Sequence, residues 1–473
     1  MSGLEDGSEQ KWMQDFWQLL KSDQAEQAAT LLSGLGPVHL TVPEYYISRA
    51  ALSICNQNSN NAWLWLWRGL ECYPQHPTLT SCMKRLQHRL GWNEEPKSSA
   101  SSRQGNEENS LTVHSWISVL EQLSEEPPEQ KPIVRVLQGT MEIANQMHTL
   151  AKGLHQVGAY AKTLSYYDFY LQYPVDYHWV LKGEPDSQIL NEKLRNLTTY
   201  LKNQYDVFHF HFGTSLTLDQ SDIPMLKEAG KVILMHHWGS DVRRLSILKQ
   251  TNPYAVAKVM NEASIHERLR RLSTHIQHCL VADHELYLYV KDYYEHVYFI
   301  PQMIDLTLYP VMQAPVKKAK PLIVHAPTSP QIKGTEHILK AVQSLQGRYD
   351  FDFKLVQRMS HEEAKLWYSQ ADLIIDQLCL GSHGLFAIES MALGKPVICW
   401  ISDYMKEHYP PDLPLIAANP DTIEATLANL LQNQELLQEI GKQGRIYVER
   451  YHDMKAISLK VMDIYKKIMA NHR

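Results

Sequence analysis

The sequence predicts an α/β protein: two doubly wound parallel-sheet domains facing each other across a cleft, preceded by an all-helical module. Three observations predict it. From Lys131 onward, short apolar strand patterns alternate with helical ones, which implies parallel strands covered by helices on both faces. The alternation falls into two series, joined near residues 304–320. Residues 10–92 carry helical periodicity alone.

A chain of 473 residues suggests roughly three domains at the usual ~150 residues each. A hydrophobic content of 44% and a charged content of 21% are those of a globular protein. The net charge of −6 offers no basic field for nucleic acid. No run of ~18 apolar residues is present, so no transmembrane segment is expected. The start, MSGLEDGSEQ, is acidic and polar, which argues against a secretory signal. The expected location is cytoplasmic, with a peripheral place at the inner membrane face as the alternative. Cys55, Cys72, Cys82, Cys279, Cys379 and Cys399 are scattered without a CxxC pair. They read as free thiols, not as a zinc or disulfide framework.

The elements follow in order. In residues 1–92, apolar residues recur at helical spacing: Phe16, Leu19, Leu20, then Ala28, Leu31, Leu32, then Trp63, Leu66, Trp67, Leu70. Ala28, Leu32 and Pro43 correspond to Ala62, Leu66 and Pro77 thirty-four positions later. That period resembles tetratricopeptide repeats, although their aromatic signature is only partly filled; a generic helical bundle is the competing reading. Two repeats need a neighbour, so the module should dock on the rest of the chain or on a protein partner. Residues 93–130 form a linker, too polar over 93–110 to order the chain, with a short helix at 113–123. Residues 131–312 make the first α/β domain, with strands at 133–137, 207–211, 232–235, 277–282 and 297–300. Its helices are expected at 142–157, 188–203 and 255–273. Residues 313–454 make the second, with strands at 322–325, 351–356, 373–376, 397–400 and 415–417. Its helices are expected at 335–345, 361–369, 386–393 and 422–433. The last helix, within 455–473, would cross back onto the first domain.

Ligands of such sheets sit beyond the carboxyl ends of the strands, so the cleft is the expected site. Gly139 stands between the first strand and a helix, where backbone can approach a ligand and the helix N-terminus favours an anion. No GxGxxG is present, which weakens a dinucleotide oxidoreductase. His209 and His211 share one face of a strand. With no Asp, Glu or Cys at ligand spacing, they read as cleft or core histidines and not as a metal pair. The strand from Val232 runs into HHWGSDVRR, a polar cluster of His236, His237 and Asp241; Asp241 can equally cap a turn. Lys333 and Gly334 precede a helix, where an ammonium and a helix dipole together suit a diphosphate. In GLFAIESMALGKPVICW (384–400), Glu389 is a lone carboxylate in an apolar run. It must face solvent or meet a hydrogen-bond donor, because unpaired burial costs several kcal/mol.

Taken together, the Gly139 loop, HHWGSD, the strand–Lys333–Gly334–helix segment, YFIPQMIDLTLYP (298–310) and GLFAIESMALGKPVI resemble the retaining GT-B glycosyltransferases that use nucleotide sugars, of the family 4-like class. The resemblance covers about 340 residues. It implies two Rossmann-like domains and a donor that is a nucleotide-diphosphate sugar, with no cofactor and no metal. Glu389 would bind the ribose, Lys333 the diphosphate, and the amides near Gly384 and Leu385 would help hold it. Gly139 would let the first domain close over the phosphates. The catalytic group would be His236, His237 and Asp241, with one histidine at the donor sugar. The acceptor would be a glycan, a lipid-linked group or a protein. Two positions depart from the family: Gly381 stands where a sugar-binding Glu is usual, and Pro327 where a phosphate-binding Arg is usual. Arg358 is the candidate to replace the lost cation and His383 the lost sugar contact. A catalytically weak GT-B adaptor, using its helical module for partner contact, is the alternative.

Overall fold

The computed structural model describes residues 132–471 apart from 168–172, 180, 182–186, 312–317 and 358, together with short stretches between 15 and 85. The chain divides into two compact units, residues 1–120 and 121–473. In the first, the described segments are helical, among them 15–20, 47–48 and 77–79, and Phe16, Ala28 and Leu66 are buried. Leu32, Pro43 and Ala62 of the thirty-four-residue comparison lie outside the described residues, as do the linker at 93–110 and the helix expected at 113–123.

The second unit holds two parallel sheets. The first contains β1 (Arg135–Thr140), β2 (Tyr160–Ser165), β3 (Tyr177–His178), β4 (Val207–His211), β5 (Val232–His237), β6 (His278–Val281) and β7 (His296–Phe299), in the order β3-β2-β1-β4-β5-β6-β7. The second contains β8 (Leu322–His325), β9 (Asp352–Leu355), β10 (Leu373–Ile375), β11 (Val397–Cys399) and β12 (Ile416–Ala417), in the order β12-β11-β10-β8-β9. Every expected strand is present, most with ends shifted by a residue or two.

β2 and β3 were not expected. YAKTLS carries Lys162, Thr163 and Ser165 among few apolar residues, and β3 is only two residues long, so neither makes an apolar run. The helix Glu435–Tyr451 was also missed, because Gly441 and Gly444 break its pattern. Both glycines are close-approach positions. A Cβ at Gly441 would run into the Gly394 carbonyl, and one at Gly444 would meet Met391 at 3.1 Å.

The last helix, Met454–Asn471, returns to the first sheet. Ile457, Val461, Met462, Tyr465 and Ile468 share one core with Val134, Val136, Leu150, Leu154 and Leu234. Gly153 of the helix Gln146–Gln156 lets it close, since a Cβ there would collide with Ser458 Oγ. The halves also touch directly. Asn252 Nδ2 donates to the Cys379 carbonyl at 2.8 Å, and Tyr409 Oη donates to Asp283 Oδ2 at 3.1 Å. Among the described residues no helix is long and apolar enough to cross a membrane.

Candidate active site

The carboxyl edge of the second sheet carries most of the polar candidates. Lys333 ends a short helical turn, Pro330–Lys333. Gly334 then adopts a left-handed conformation (φ 73°), and the helix Thr335–Gln346 begins. A Cβ at Gly334 would meet Cys379 Sγ at 3.0 Å, so glycine is required by space as well as by backbone. The turn holds Lys333 against Asp376, which follows β10. The Lys333 ammonium and the Asp376 carboxylate form an ion pair through Oδ1, and Oδ2 accepts the Gly384 amide at 3.1 Å. Asp376 is fully buried, and 13% of the Lys333 side chain remains exposed. Beneath them, His325 Nδ1 donates to the Ile375 carbonyl at 2.8 Å, which leaves Nε2 to accept from Thr335 Oγ1 at 2.8 Å. Burial holds the His325 imidazole down, to about 4, so it is neutral.

Gly384 caps the helix Leu385–Ala392, and all of Phe386–Ala392 is buried. Glu389 therefore does not face solvent. Its Oε1 accepts from Tyr309 Oη at 2.7 Å and from His361 Nε2 at 2.8 Å. Among the described residues no hydrogen bond reaches Oε2. Tyr173, between β2 and β3, lays its ring edgewise against His361 at 5.5 Å, so the first half reaches over this point. Burial works against a charged His361, but the hydrogen bond and charge of Glu389 outweigh it and raise the imidazole above its ordinary range. A raised basic group stabilises the fold fully below its unfolded value of about 6.5, and that contribution is lost as pH rises through the folded value. Wild type should therefore out-melt His361→Gln at pH 6, and the gap in Tm should close as pH rises past the unfolded value and through the raised folded one. A gap that stays constant with pH would mean that the pair carries no protonation-linked stability.

The remaining candidates sit differently. Gly139 lies inside β1, not after it, with a Cβ position 3.2 Å from the Leu164 carbonyl, so strand packing accounts for its missing side chain. The helix that follows, Gln146–Gln156, has its first amides taken. Met147 N and His148 N donate to the two oxygens of Glu142 at 3.0 and 2.8 Å. Burial pushes the Glu142 carboxyl up to about 8 despite those bonds. His237 is buried, with Nδ1 on Asp241 Oδ2 at 2.7 Å and Nε2 on Tyr294 Oη at 2.8 Å, so both ring nitrogens are engaged inside the protein. Asp241 is the capping residue of its turn, accepting from Trp238 N and Gly239 N at 3.1 and 2.8 Å. His236 is buried against Trp238, with ring centroids 3.9 Å apart.

His236 also joins His209 and His211 in one buried cluster, an arrangement the strand pattern alone did not reveal. It arises because β4 and β5 pair His211 with His236. The Trp238 indole donates to His211 Nδ1 at 3.0 Å, and Nε2 meets Gln138 Oε1 at 3.1 Å. As arranged, His211 therefore has no free lone pair for an ion. Burial holds all three imidazoles below their ordinary range.

His383 is buried, stacked on Tyr409 at 4.6 Å, and burial holds it at about 3. Neither of its nitrogens has a partner among the described residues. Leu385 is half-buried at the helix start, and Arg358 lies outside the described residues. Gly381 has φ 80°, and a Cβ there would sit 2.9 Å from Ser402 Cβ. No glutamate fits that backbone without moving the loop.

The sequence reading missed Asp376, Tyr309, His361 and Glu142. Asp376 had a signal, an acid closing an apolar strand at the ligand edge. Tyr309 lay within the motif at 298–310. His361 had none, because only the fold brings it twenty-eight positions back to Glu389.

No family model matches the sequence, and no curated protein matches it. Solved structures do. A sucrose-phosphate synthase from Thermosynechococcus elongatus is similar over 71% of this chain and 99% of its own, at 17% identity and a TM-score of 0.51. HepE from Anabaena, solved in complex with UDP and glucose, is similar over 71% of this chain and 100% of its own, at 11% identity and a TM-score of 0.50. With parallel sheets of seven and five strands and a last helix returning to the first, the chain has the GT-B fold.

Proposed function

We propose that the protein is a glycosyltransferase that moves a sugar from a nucleotide-diphosphate sugar to an acceptor hydroxyl, with retention and without a metal. The observation that carries the reading is Glu389. It is a buried carboxylate with one oxygen held by Tyr309 and His361 and, among the described residues, no hydrogen bond to the other. It stands five residues after Gly384, whose amide the fold brings beside the Lys333 ammonium. That geometry suits a ribose hydroxyl on Glu389 and a diphosphate on Lys333 and the helix N-terminus. The same cation and amides would stabilise the leaving diphosphate, the task a divalent ion performs elsewhere. HepE, which shares the fold, is described with UDP and glucose, and this supports a nucleotide sugar as the ligand. The acceptor is a glycan, a lipid-linked group or a protein, met in the cytoplasm, and residues 1–92 offer a surface for a protein partner.

The test is calorimetry with nucleoside diphosphates, followed by a donor-hydrolysis assay with and without added Mg²⁺ or Mn²⁺. Glu389→Ala should weaken nucleotide binding by about 1.5–3 kcal/mol, the worth of a hydrogen bond to a charged group. Equal affinity in the two proteins would remove the ribose role, and hydrolysis that depends on an added divalent ion would remove the metal-free mechanism. One observation favours the second reading, a GT-B-fold adaptor with weak catalysis. Carboxyl groups of the protein itself already meet both helix N-termini, Glu142 at the Met147 and His148 amides and Asp376 at the Gly384 amide.

A further inference from the structure

We propose that Asp376 is a built-in occupant of the diphosphate position, so that a donor binds only by displacing it; this rests on the donor-site reading above. Three features carry the inference. The carboxylate takes the Lys333 ammonium through Oδ1 and the Gly384 amide through Oδ2. Those are two of the groups at this edge that would otherwise meet phosphate oxygens. The two groups also converge on one point: a Cβ on Gly384 would lie 3.3 Å from Lys333 Nζ and 3.5 Å from Asp376 Oδ2. Asp376 is also fully buried, so it cannot simply share the cation with an incoming anion at the surface.

A second negative group within a few ångströms is strongly repelled at the effective dielectric of such a site. A donor therefore has to turn Asp376 away or bring it a proton. The device makes this edge electrically neutral without a ligand and selects against free phosphate and pyrophosphate. Only a ligand with additional anchorage, such as a ribose on Glu389, gains enough to open the pair.

The experiment is titration of inorganic pyrophosphate and of UDP, GDP and ADP into wild type, Asp376→Asn and Asp376→Ser at one ionic strength. The serine variant keeps a hydroxyl for the Gly384 amide should the asparagine variant fold poorly. Removing the internal anion should tighten pyrophosphate binding at least about tenfold. The gain should vanish in Lys333→Ala/Asp376→Ala. Unchanged or weaker pyrophosphate binding in the folded Asp376 variants overturns the proposal. A crystal structure of the unaltered protein with UDP or pyrophosphate is the second measurement. The Lys333–Asp376 pair should be broken there, and an intact pair beside a bound diphosphate overturns it. The two readings fail separately. If the variants gain pyrophosphate but no nucleoside diphosphate binds more tightly than pyrophosphate, Asp376 is an occupant and the donor-site reading falls. If wild type binds a nucleoside diphosphate and the variants bind it no better, the donor-site reading stands and the occupant falls.

Discussion

Lys333→Ala should destabilise the protein by about 3–5 kcal/mol, the cost of leaving one member of a buried ion pair without its partner. Asp376 is fully buried, and the only other described hydrogen bond to its carboxylate is from the Gly384 amide. Without the ammonium, a carboxylate out of water keeps one donor where it had two. Lys333→Ala/Asp376→Ala should recover most of the loss, because the double variant buries no orphan charge. Urea unfolding of the four proteins of this cycle measures it. A single variant that loses less than about 1 kcal/mol would show that Lys333 leaves Asp376 easily. The pair would then be no obstacle to a ligand. The prediction also separates two causes of lost binding in Lys333→Ala. A diphosphate contact weakens diphosphate ligands selectively, whereas a collapsed loop weakens every ligand at this edge.

The parts of this molecule legible in the sequence are those with strong local signals. Strands such as LIVH at 322–325 and VIC at 397–399 are nearly pure apolar runs, and they fell where expected. The YAKTLS strand did not, because its pattern is half polar and it gains its place from pairing with β1. The site was legible residue by residue but not as a set of partnerships. Glu389 stood out as a carboxylate among apolar neighbours, yet the groups that satisfy it come from 309 and 361, far away in the chain. Lys333 stood out beside a helix start, but nothing local says that Asp376 neutralises it. His236 and His237 looked alike in sequence, and strand alternation sends them to opposite faces. One joins the stack with His209, His211 and Trp238, and the other joins Asp241 and Tyr294. Gly381 read as a missing functional side chain. The structure gives it a backbone reason, a left-handed φ against Ser402.

Asp241→Ala should be among the most destabilising single changes, at about 3 kcal/mol or more. Its carboxylate accepts from His237 Nδ1, Trp238 N and Gly239 N; His237 and Gly239 are buried and Trp238 is half-buried. Each buried donor left without an acceptor costs about 1–3 kcal/mol. Burial opposes the charge on Asp241, but the His237 bond and the two amides hold its carboxyl below its ordinary range, which is the signature of a well-satisfied anion. Asp241→Asn should be far milder. The amide oxygen keeps the two backbone donors, and the amide nitrogen can donate to His237 Nδ1. The imidazole then switches tautomer and donates through Nε2 to the Tyr294 hydroxyl. Comparing the two variants separates scaffold from catalyst. If the network only shapes the turn from Trp238 to Asp241, folded Asp241→Asn should transfer or hydrolyse donor within a few-fold of wild type while Asp241→Ala unfolds at lower urea. If His237 moves a proton or charge during transfer, its tautomer matters. Asp241→Asn would then lose activity by orders of magnitude with its stability largely intact, as when a triad aspartate is neutralised. With both ring nitrogens engaged and the side chain fully buried, the first outcome is the one the geometry predicts.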